Sequence, residues 1–238
     1  MDSDKKLGMK AGSGNVLFEL FRFLFNFVVI LISLFISISL FRALSVSASA
    51  LILSLSIMAS LFTFLIVFFL LSVIILKFIF LFIKSGRYKH DDARLSFWFL
   101  ATNIQQIQHS NVVNILLENS LFFKYLYLKL LGAKVSFWTI WGAKVFIDGA
   151  QFIKIGKNSI IGDFSVILTH TADSNGVYIN YVSIGDNCVL GEGSTIFPGV
   201  KIGNNSVIGS HSLVLEDSVI GENEVWAGTP AKKIKDLE

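Results

Sequence analysis

Cysteine and charged residues are scarce in this sequence. Cys188 is the only cysteine among 238 residues, which excludes a disulfide framework within the chain. Charged residues make up 16% of the composition, and two runs, 23–41 and 43–76, contain none. A cleaved signal peptide has an apolar region of only about 7–15 residues, whereas a helix that crosses a bilayer needs roughly 20. We therefore expect a hairpin of two transmembrane helices.

The basic residues around the two runs predict the orientation of the hairpin. The connection between the runs carries only Arg42, whereas both outer flanks are basic. Basic flanks stay in the cytoplasm, so we expect an integral membrane protein with two transmembrane helices, both termini and the following domain being cytoplasmic. Cations beside anionic lipid then explain the net charge of +3, and no nucleic-acid partner is expected. The flanking cations are Lys5, Lys6, Lys10 and Arg22 before the first run, and Lys77, Lys84, Arg87, Lys89 and Arg94 after the second.

Changes in composition divide the chain into four segments. Residues 1–15 are a polar tail, and residues 16–94 hold the hairpin and a charged exit, KSGRYKHDDAR. Residues 95–134 mix aromatic residues and lysines with a helical apolar period, which indicates amphipathic helices. These helices either lie at the membrane interface or cap the apolar end of the next domain, and the sequence leaves both alternatives open. Residues 135–238 form the repeat domain.

A six-residue period runs through the repeat domain. It places an apolar residue at Ile184 and at every sixth position up to Trp226. Glycine often follows this residue directly, and a small residue follows four places after it. Weaker copies begin at Val135, Trp141 and Ile147, and a two-residue slip comes after them. Fixed short periods are typical of β-helices, so we expect triangular coils of about 18 residues, with the apolar residues stacked inside and glycine providing the corner angles.

With this period, residues from about 125 to 238 resemble the hexapeptide-repeat acyltransferases. The hexads IGDNCV, LGEGST, IGNNSV and IGSHSL match the family pattern, and the closing AGTPAKKIK resembles the end of the sugar O-acetyltransferases. The resemblance implies a left-handed parallel β-helix after the α-helical hairpin and interfacial helices. It also implies a homotrimer and an acyl-CoA donor such as acetyl-CoA. No metal is expected, because the repeat has too few histidines to hold one.

The period stops after the tripeptide LTH at 168–170. In the family a loop interrupts the repeat near a histidine that acts as general base, so the resemblance implies that His170 is catalytic and that residues 171–182 form a loop. Imidazole changes its charge near neutral pH, which suits removal of a proton from a hydroxyl or amine. Either Asp173 or Asn175 orients the imidazole, or both are ordinary turn residues. The positions that match the family's groove for coenzyme A are Gly209, Ser210, Gly228, Thr229, Pro230 and Lys233.

The resulting hypothesis is a membrane-anchored acyltransferase that moves an acetyl group from acetyl-CoA to a hydroxyl or amine of a sugar, glycan or other small acceptor. Val189 replaces a tryptophan that many sugar acetyltransferases carry, so the acceptor stays open. A non-enzymatic trimeric β-helix scaffold at the membrane is the alternative. A zinc-dependent carbonic anhydrase with the same coil would need three converging histidines, but the repeat offers only His170 and His211. A nucleotidyltransferase would need a glycine-rich phosphate loop, which the preceding residues do not contain.

Overall fold

A computed structural model of the chain describes residues 13–45, 49–108 and 120–238. By its internal contacts the chain divides into two units, Met1–Phe78 and Ile79–Glu238. Most of the predicted polar tail and part of the predicted amphipathic segment lie outside the described residues.

Two long helices form the first unit, as the uncharged runs predict. They are α1, Ser13–Ser45, and α2, Ala50–Phe80. Within them, Phe27–Ser45 and Ala50–Phe80 are long and apolar enough to cross a membrane, by the measure of length and composition alone. Large apolar side chains are exposed along both helices, with Phe35 at 73% and Leu51 at 68%.

Serines lie where α1 and α2 pack together. The Ser37 hydroxyl donates a hydrogen bond to the Ser60 carbonyl oxygen of the other helix at 2.7 Å. Ser33 donates within its own helix, to the Val29 carbonyl oxygen at 2.8 Å. Small side chains with satisfied hydroxyls let helices approach closely in an apolar surrounding, as expected for a membrane hairpin. The buried serines of the pair include Ser33, Ser37, Ser56 and Ser60.

Among the residues that the structure describes, one short strand and two helices precede the β-helix in the second unit. Strand β1, Gly86–Tyr88, lies in the segment predicted to be only a charged exit. Helices α3, Arg94–Gln108, and α4, Leu121–Leu130, follow it. The Ser120 hydroxyl caps α4 by accepting a hydrogen bond from the Phe123 N–H at 3.4 Å. In both helices, the side chains that the structure describes are buried on one side and exposed on the other.

A parallel β-helix makes up the rest of the unit. Its strands are β2 Lys134–Val135, β3 Ile140–Trp141, β4 Phe146–Ile147, β5 Ile153–Ile155, β6 Ile160–Ile161, β7 Val166–Ile167, β8 His170–Asp173, β9 Gly176–Ile179, β10 Val182–Ile184, β11 Val189–Leu190, β12 Thr195–Ile196, β13 Lys201–Ile202, β14 Val207–Ile208, β15 Leu213–Val214, β16 Val219–Ile220, β17 Glu224–Gly228 and β18 Ala231–Asp236. Fifteen of these strands form three sheets, ordered β16-β13-β10-β5-β2, β18-β17-β14-β11-β6-β3 and β15-β12-β7-β4, in which only β18 is antiparallel. The other two, β8 and β9, form a separate antiparallel sheet with β1. These sheets are typical of the left-handed parallel β-helix, so the predicted fold class is confirmed.

The inner column of the β-helix is the one that the period predicts. Strand pairing sets Ile184 beside Ile202, and Ile202 beside Ile220. Every sixth residue from Ile184 to Ile220 is at most 4% exposed, because it stacks on its equivalents in the coils above and below. The weaker copies are confirmed as part of the same core, since their first residues are also buried: Val135, Trp141 and Ile147.

The glycines of the period have a different role from the predicted one. Gly203 lacks a positive φ, so the expectation that such glycines provide the corner angles is wrong. A Cβ at Gly203 would lie 2.6 Å from the backbone nitrogen of Glu222 in the next coil, so glycine is needed because the coils approach closely. The left-handed corner comes two residues later, at Asn187, Asn205 and Asn223, with φ of 55°, 59° and 58°. Asparagine tolerates this conformation, and each amide donates a hydrogen bond to the next one, at 3.2 and 3.0 Å.

Candidate active site

Two interruptions of the six-residue period lie at the same corner of the β-helix. The first follows β4 and the second follows β7, and these strands are paired neighbours, with Phe146 beside Val166 and Ile147 beside Ile167. In the first interruption, a 3₁₀ turn at Ala150–Phe152 absorbs the two-residue slip before β5 begins. Residues of the two interruptions are therefore neighbours in space, although they belong to consecutive coils.

The second interruption is a β-hairpin, so the prediction of a loop over 171–182 is wrong for most of those residues. Strand β8 pairs antiparallel with β9, and β1 pairs with the other edge of β9. The Asp173 carboxylate accepts a hydrogen bond from the Asn175 N–H at 2.7 Å in the two-residue connection. Gly176 follows with a φ of 139°, and a Cβ at this position would collide with the Tyr88 backbone of β1, so glycine is required here.

His170 is the first residue of β8, and its imidazole lies against a carboxylate. The Nδ1 of His170 is 2.6 Å from Oδ2 of Asp148, and the two side chains are only 23% and 11% exposed. The ring N–H does not point along the line to the oxygen, so the contact is electrostatic rather than a linear hydrogen bond. It becomes an ion pair when the imidazole is protonated. With Nδ1 against Asp148, Nε2 is the ring nitrogen left to exchange a proton with a substrate.

The backbone of Asp148 is fixed by residues of the second interruption. The buried Thr169 hydroxyl donates a hydrogen bond to the Asp148 carbonyl oxygen at 2.9 Å. Gly149 follows Asp148 with a φ of 70°, and a Cβ at this position would collide with the Thr169 side chain. Glycine is therefore required at 149, and the left-handed turn it makes leaves Asp148 beside His170.

An aromatic side chain from α3 packs on the imidazole. The ring centroids of Trp98 and His170 are 4.3 Å apart, and the ring planes meet at 64°, an edge-to-face arrangement. Trp98 is 9% exposed, so it is part of the core beneath the histidine. Helix α3 therefore contributes to the site, which the sequence did not predict for this segment.

Asp148, rather than Asp173 or Asn175, is the residue beside the imidazole. The Asn175 N–H and then the Arg87 guanidinium, 2.8 Å away, lower the pKa of Asp173 from its ordinary value. Asp173 and Asn175 are turn residues, which is one of the two alternatives that the sequence left open. Sequence reasoning missed Asp148 because it lies outside the LTH motif. The signal that points to it is the two-residue slip that follows it, since β4 and β7 stack on each other.

Polar contacts tie the hairpin to a later coil. The Thr171 hydroxyl donates a hydrogen bond to the Glu216 carboxylate. The Tyr178 hydroxyl donates to Oδ1 of Asp217 at 2.6 Å and accepts from the Asn180 amide at 2.6 Å. Burial, and then the hydrogen bond to Asp217, raises the pKa of Tyr178. These contacts hold the hairpin in one position on the β-helix, and His170 with it.

The residues predicted to bind coenzyme A lie close to one another. A Cβ at Gly209 would be 2.8 Å from the Cβ of Ala227, the residue before Gly228. The Gly228 N–H donates a hydrogen bond to the Ser212 hydroxyl at 3.1 Å. Ser210 follows Gly209 at this corner, and Thr229 and Pro230 connect β17 to β18. Five of the six predicted residues therefore form one surface with small side chains, called here the glycine surface: Gly209, Ser210, Gly228, Thr229 and Pro230.

Lys233, the sixth predicted residue, is engaged by carboxylates. Its Nζ lies 2.8 Å from Oε1 of Glu224 and 2.7 Å from Oδ1 of Asp236. The Lys233 ammonium, with the Trp226 indole and the Gly221 N–H, lowers the pKa of Glu224 to about 2. The hydrogen bonds to Asp236 and Glu224 raise the pKa of Lys233. A phosphate at this position would therefore compete with two carboxylates for the ammonium.

Within one chain, the glycine surface and His170 occupy different corners of the β-helix. His170 lies after β7, in the four-stranded sheet, whereas Gly209 lies after β14, in the six-stranded sheet. His211 is exposed at a left-handed corner with a φ of 54°. Among residues 13–45, 49–108 and 120–238, no three His, Cys, Asp or Glu side chains are grouped as they would be around a metal ion.

One family model matches the chain. It is described as the hexapeptide repeat of succinyl-transferase, and it matches residues 181–210, thirty of the 238 residues. The match confirms the hexapeptide repeat that the six-residue period predicts in this part of the β-helix. No curated protein matches the sequence significantly.

Several solved structures are similar to the chain in part. A maltose O-acetyltransferase from Clostridium difficile 630 is 23% identical, with 66% of this chain and 95% of that one covered and a TM-score of 0.49. A galactoside acetyltransferase in complex with coenzyme A is 21% identical, with 65% and 88% covered and a TM-score of 0.44. AntD, an N-acyltransferase from Bacillus cereus in complex with dTDP and coenzyme A, is 22% identical, with a TM-score of 0.39. The match with AntD covers 42% of this chain and 61% of AntD. These likenesses assign neither an activity nor a substrate to this chain.

Proposed function

We propose that this chain is a membrane-anchored acyltransferase. It transfers an acyl group, proposed to be acetyl, from acyl-CoA to a hydroxyl or amine of a sugar, glycan or other small acceptor. The observation that carries the proposal is the contact of the Asp148 carboxylate with Nδ1 of His170, at the corner where both interruptions of the β-helix meet. A mostly buried imidazole paired through one nitrogen is the arrangement that general base catalysis uses.

In this proposal His170 acts as the general base on the acceptor. Its Nε2 takes the proton from the acceptor O–H or N–H while the acceptor oxygen or nitrogen attacks the thioester carbonyl carbon. The new C–O or C–N bond forms, the C–S bond breaks, and coenzyme A leaves as a thiolate that takes the proton back from the imidazolium. Asp148 stabilises the imidazolium during this exchange, and proton transfer of this kind typically contributes about 10²–10⁴ in rate.

Coenzyme A is the donor substrate, and the glycine surface fits its extended pantetheine arm. Gly228 is exposed and carries no side chain, so a ligand can approach its backbone closely, whereas Gly209 makes room for Ala227 of the next coil. We propose that the Lys233 ammonium exchanges one of its two partners. A phosphate of coenzyme A takes the place of the exposed Asp236 carboxylate, and the contact between Lys233 and Glu224 is kept.

A homotrimer would complete the site. His170 and the glycine surface lie at different corners of one β-helix, so one chain alone does not bring them together. Copies arranged around a three-fold axis would set the histidine corner of one subunit against the glycine surface of the next. We therefore propose that each active site lies between two subunits.

The helices α1 and α2 are proposed to anchor the enzyme in a membrane. Their length, their lack of charge over 23–41 and 43–76, and their exposed apolar side chains support this role. The basic flanks support a topology in which both termini and the β-helix lie on the cytoplasmic side, where acyl-CoA is available. Anchoring would hold the enzyme beside an acceptor that is itself bound to the membrane.

Replacing His170 tests the proposed function. Membranes carrying the full-length protein would be incubated with radiolabelled acetyl-CoA, and label transferred to any acceptor would be counted. His170→Ala is expected to lower the transfer rate about 10²- to 10⁴-fold, since the general base is lost. His90→Ala is the control, because it removes an exposed imidazole whose Nε2 contacts the Asp173 carbonyl oxygen in the same hairpin.

Two results would overturn the proposal. Transfer by His170→Ala at the rate of the unsubstituted protein would remove the histidine from the mechanism. Absence of any coenzyme A binding to the full-length protein in calorimetry would favour the alternative of a non-enzymatic scaffold.

A further inference from the structure

The second unit exposes six large apolar side chains in one place. They are between 39% and 67% exposed, and three of them are phenylalanines and one a tryptophan. Four lie on α4, and two lie in the turn after β2. We call this surface the aromatic patch: Leu121, Phe122, Phe123, Leu126, Phe137 and Trp138.

Ring contacts join the two parts of the aromatic patch. Tyr125 of α4 packs on Phe137 with ring centroids 5.2 Å apart, and Phe137 packs on Trp138 at 5.7 Å. The opposite side of α4 is buried in the second unit through Tyr127 and Leu128. The aromatic patch is thus the outer face of a helix whose inner face is already used. A contiguous exposed apolar surface of this kind marks an interaction site.

The segment that carries the aromatic patch is itself positively charged. Residues 121–147 contain four lysines and no aspartate or glutamate. Lys129 lies at the end of α4 with its ammonium 6.0 Å from the centre of the Tyr125 ring, and Lys129 and Lys134 are both exposed. Exposed aromatic residues beside exposed lysines match the headgroup region of an anionic bilayer.

We infer that the aromatic patch docks on the surface of an anionic lipid bilayer. Phe122 and Trp138 enter the headgroup region, while Lys129 and Lys134 bind lipid phosphates. Five residues, 81–85, connect α2 to β1, so a bilayer that holds α2 is within short reach of this unit along the chain. Pairing with a second copy is disfavoured, because it would bring the lysines of both copies together. This inference does not depend on catalysis.

Spin labels on the full-length protein test the docking. Cys188 would first be replaced by Ser, which occupies the equivalent buried position at Ser194 and Ser206. Nitroxide labels would then be attached in separate variants, Trp138→Cys and Phe122→Cys on the aromatic patch, and Val219→Cys as control. Val219 is a matched control, since it and Trp138 are each 67% exposed.

The labelled proteins would be placed in nanodiscs of phosphatidylcholine and phosphatidylglycerol. Accessibility to oxygen, which concentrates in lipid, would be compared with accessibility to a water-soluble nickel chelate. The ratio of the two is expected to be several-fold higher at positions 122 and 138 than at 219. Equal, water-like ratios at all three positions would overturn the inference. Exclusion of both reagents at 138 together with spin–spin broadening would also overturn it, because a second copy would then cover the aromatic patch.

Discussion

The two interruptions of the β-helix differ in size and share one corner. The first adds two residues, which stay close to the β-helix as a short turn with buried Ala150 and Phe152. The second leaves the coil as a hairpin that pairs with β1. The short interruption contributes a carboxylate at Asp148, and the long one contributes an imidazole at His170. A carboxylate and an imidazole thus meet where the repeat is interrupted in two stacked coils.

The uninterrupted corners provide the contrast. There the chain turns through left-handed asparagines that bond to each other from coil to coil, as Asn187, Asn205 and Asn223 do. Such a corner satisfies its own polar groups. The comparison teaches that regular corners stabilise the β-helix, whereas the irregular corner leaves a histidine nitrogen available for a substrate.

After the loss of His170 itself, the largest effect on catalysis is expected from breaking the link between the two interruptions. Asp148→Asn removes the negative charge beside Nδ1 of His170 and should lower kcat/KM for acyl transfer roughly 10- to 150-fold. The reason is that the carboxylate and the imidazolium form a close charge pair. Coupling in such pairs begins at about 1.5 kcal/mol, and each 1.36 kcal/mol corresponds to a factor of ten in rate. Steady-state kinetics of the full-length protein measure this loss.

The control for this variant is an aspartate at another corner. Asp163 accepts a hydrogen bond from the Ala143 N–H at 2.9 Å, so Asp163→Asn removes a carboxylate elsewhere in the β-helix. It should leave kcat/KM nearly unchanged. An equal loss in both variants would mean that Asp148 acts on stability rather than on His170.

A regular corner should show an effect on stability and none on catalysis. Asn205→Ala places an alanine at a φ of 59° and removes two links of the asparagine ladder. It should lower the free energy of unfolding by roughly 1–2 kcal/mol. Asn205→Gly, which tolerates the same φ, should cost less. Thermal unfolding of both variants shows which one loses more stability. Equal losses of stability would contradict the role of the left-handed backbone at position 205.

Replacing Trp98 should have a smaller effect. We expect the change in kcat rather than in KM for acyl-CoA. Trp98→Leu removes the edge-to-face contact with His170. An aromatic pair contributes about 0.5–1.5 kcal/mol, so kcat should fall roughly 2- to 10-fold while KM for acyl-CoA stays the same. Trp98→Phe should restore most of the rate. A change in KM alone would show that Trp98 does not position the imidazole.

The smallest effect is expected on the pH dependence of stability, at Glu224 in the β17–β18 hairpin. The pKa of Glu224 is lowered from 4.5 to about 2 by Lys233, Trp226 and Gly221, so the ionised form is favoured in the folded state. Its stabilisation of the β17–β18 hairpin is present above about pH 4.5 and is lost as the pH falls through about 2. Lys233→Met should move this loss to higher pH. Fluorescence of Trp226, whose indole donates to Glu224, follows the change, and identical titrations in both proteins would contradict it.

The β-helix could be predicted from the sequence because its core repeats. A period of six fixes which residues point inward, and the burial of Ile184, Ile196 and Ile208 follows from it directly. The role of glycine was not predictable in the same way. Whether Gly203 serves a corner angle or a close approach depends on the distance between coils, which a period does not contain.

The candidate site could be predicted only in part. The histidine was found because it lies where the period stops, and its motif resembles a known family. Asp148 and Trp98 were not found, since the first reaches His170 through the stacking of β4 on β7 and the second through the packing of α3. Such contacts between distant segments leave no local pattern in the sequence.

The central claim is that Asp148 and His170 work as one unit where the two interruptions meet. The most direct test is the residual acyl-transfer rate of the double variant Asp148→Asn/His170→Ala beside each single variant. If Asp148 acts only through the imidazole, the double variant should transfer acetyl at the same rate as His170→Ala. A further fall, by the same factor that Asp148→Asn causes alone, would contradict the account.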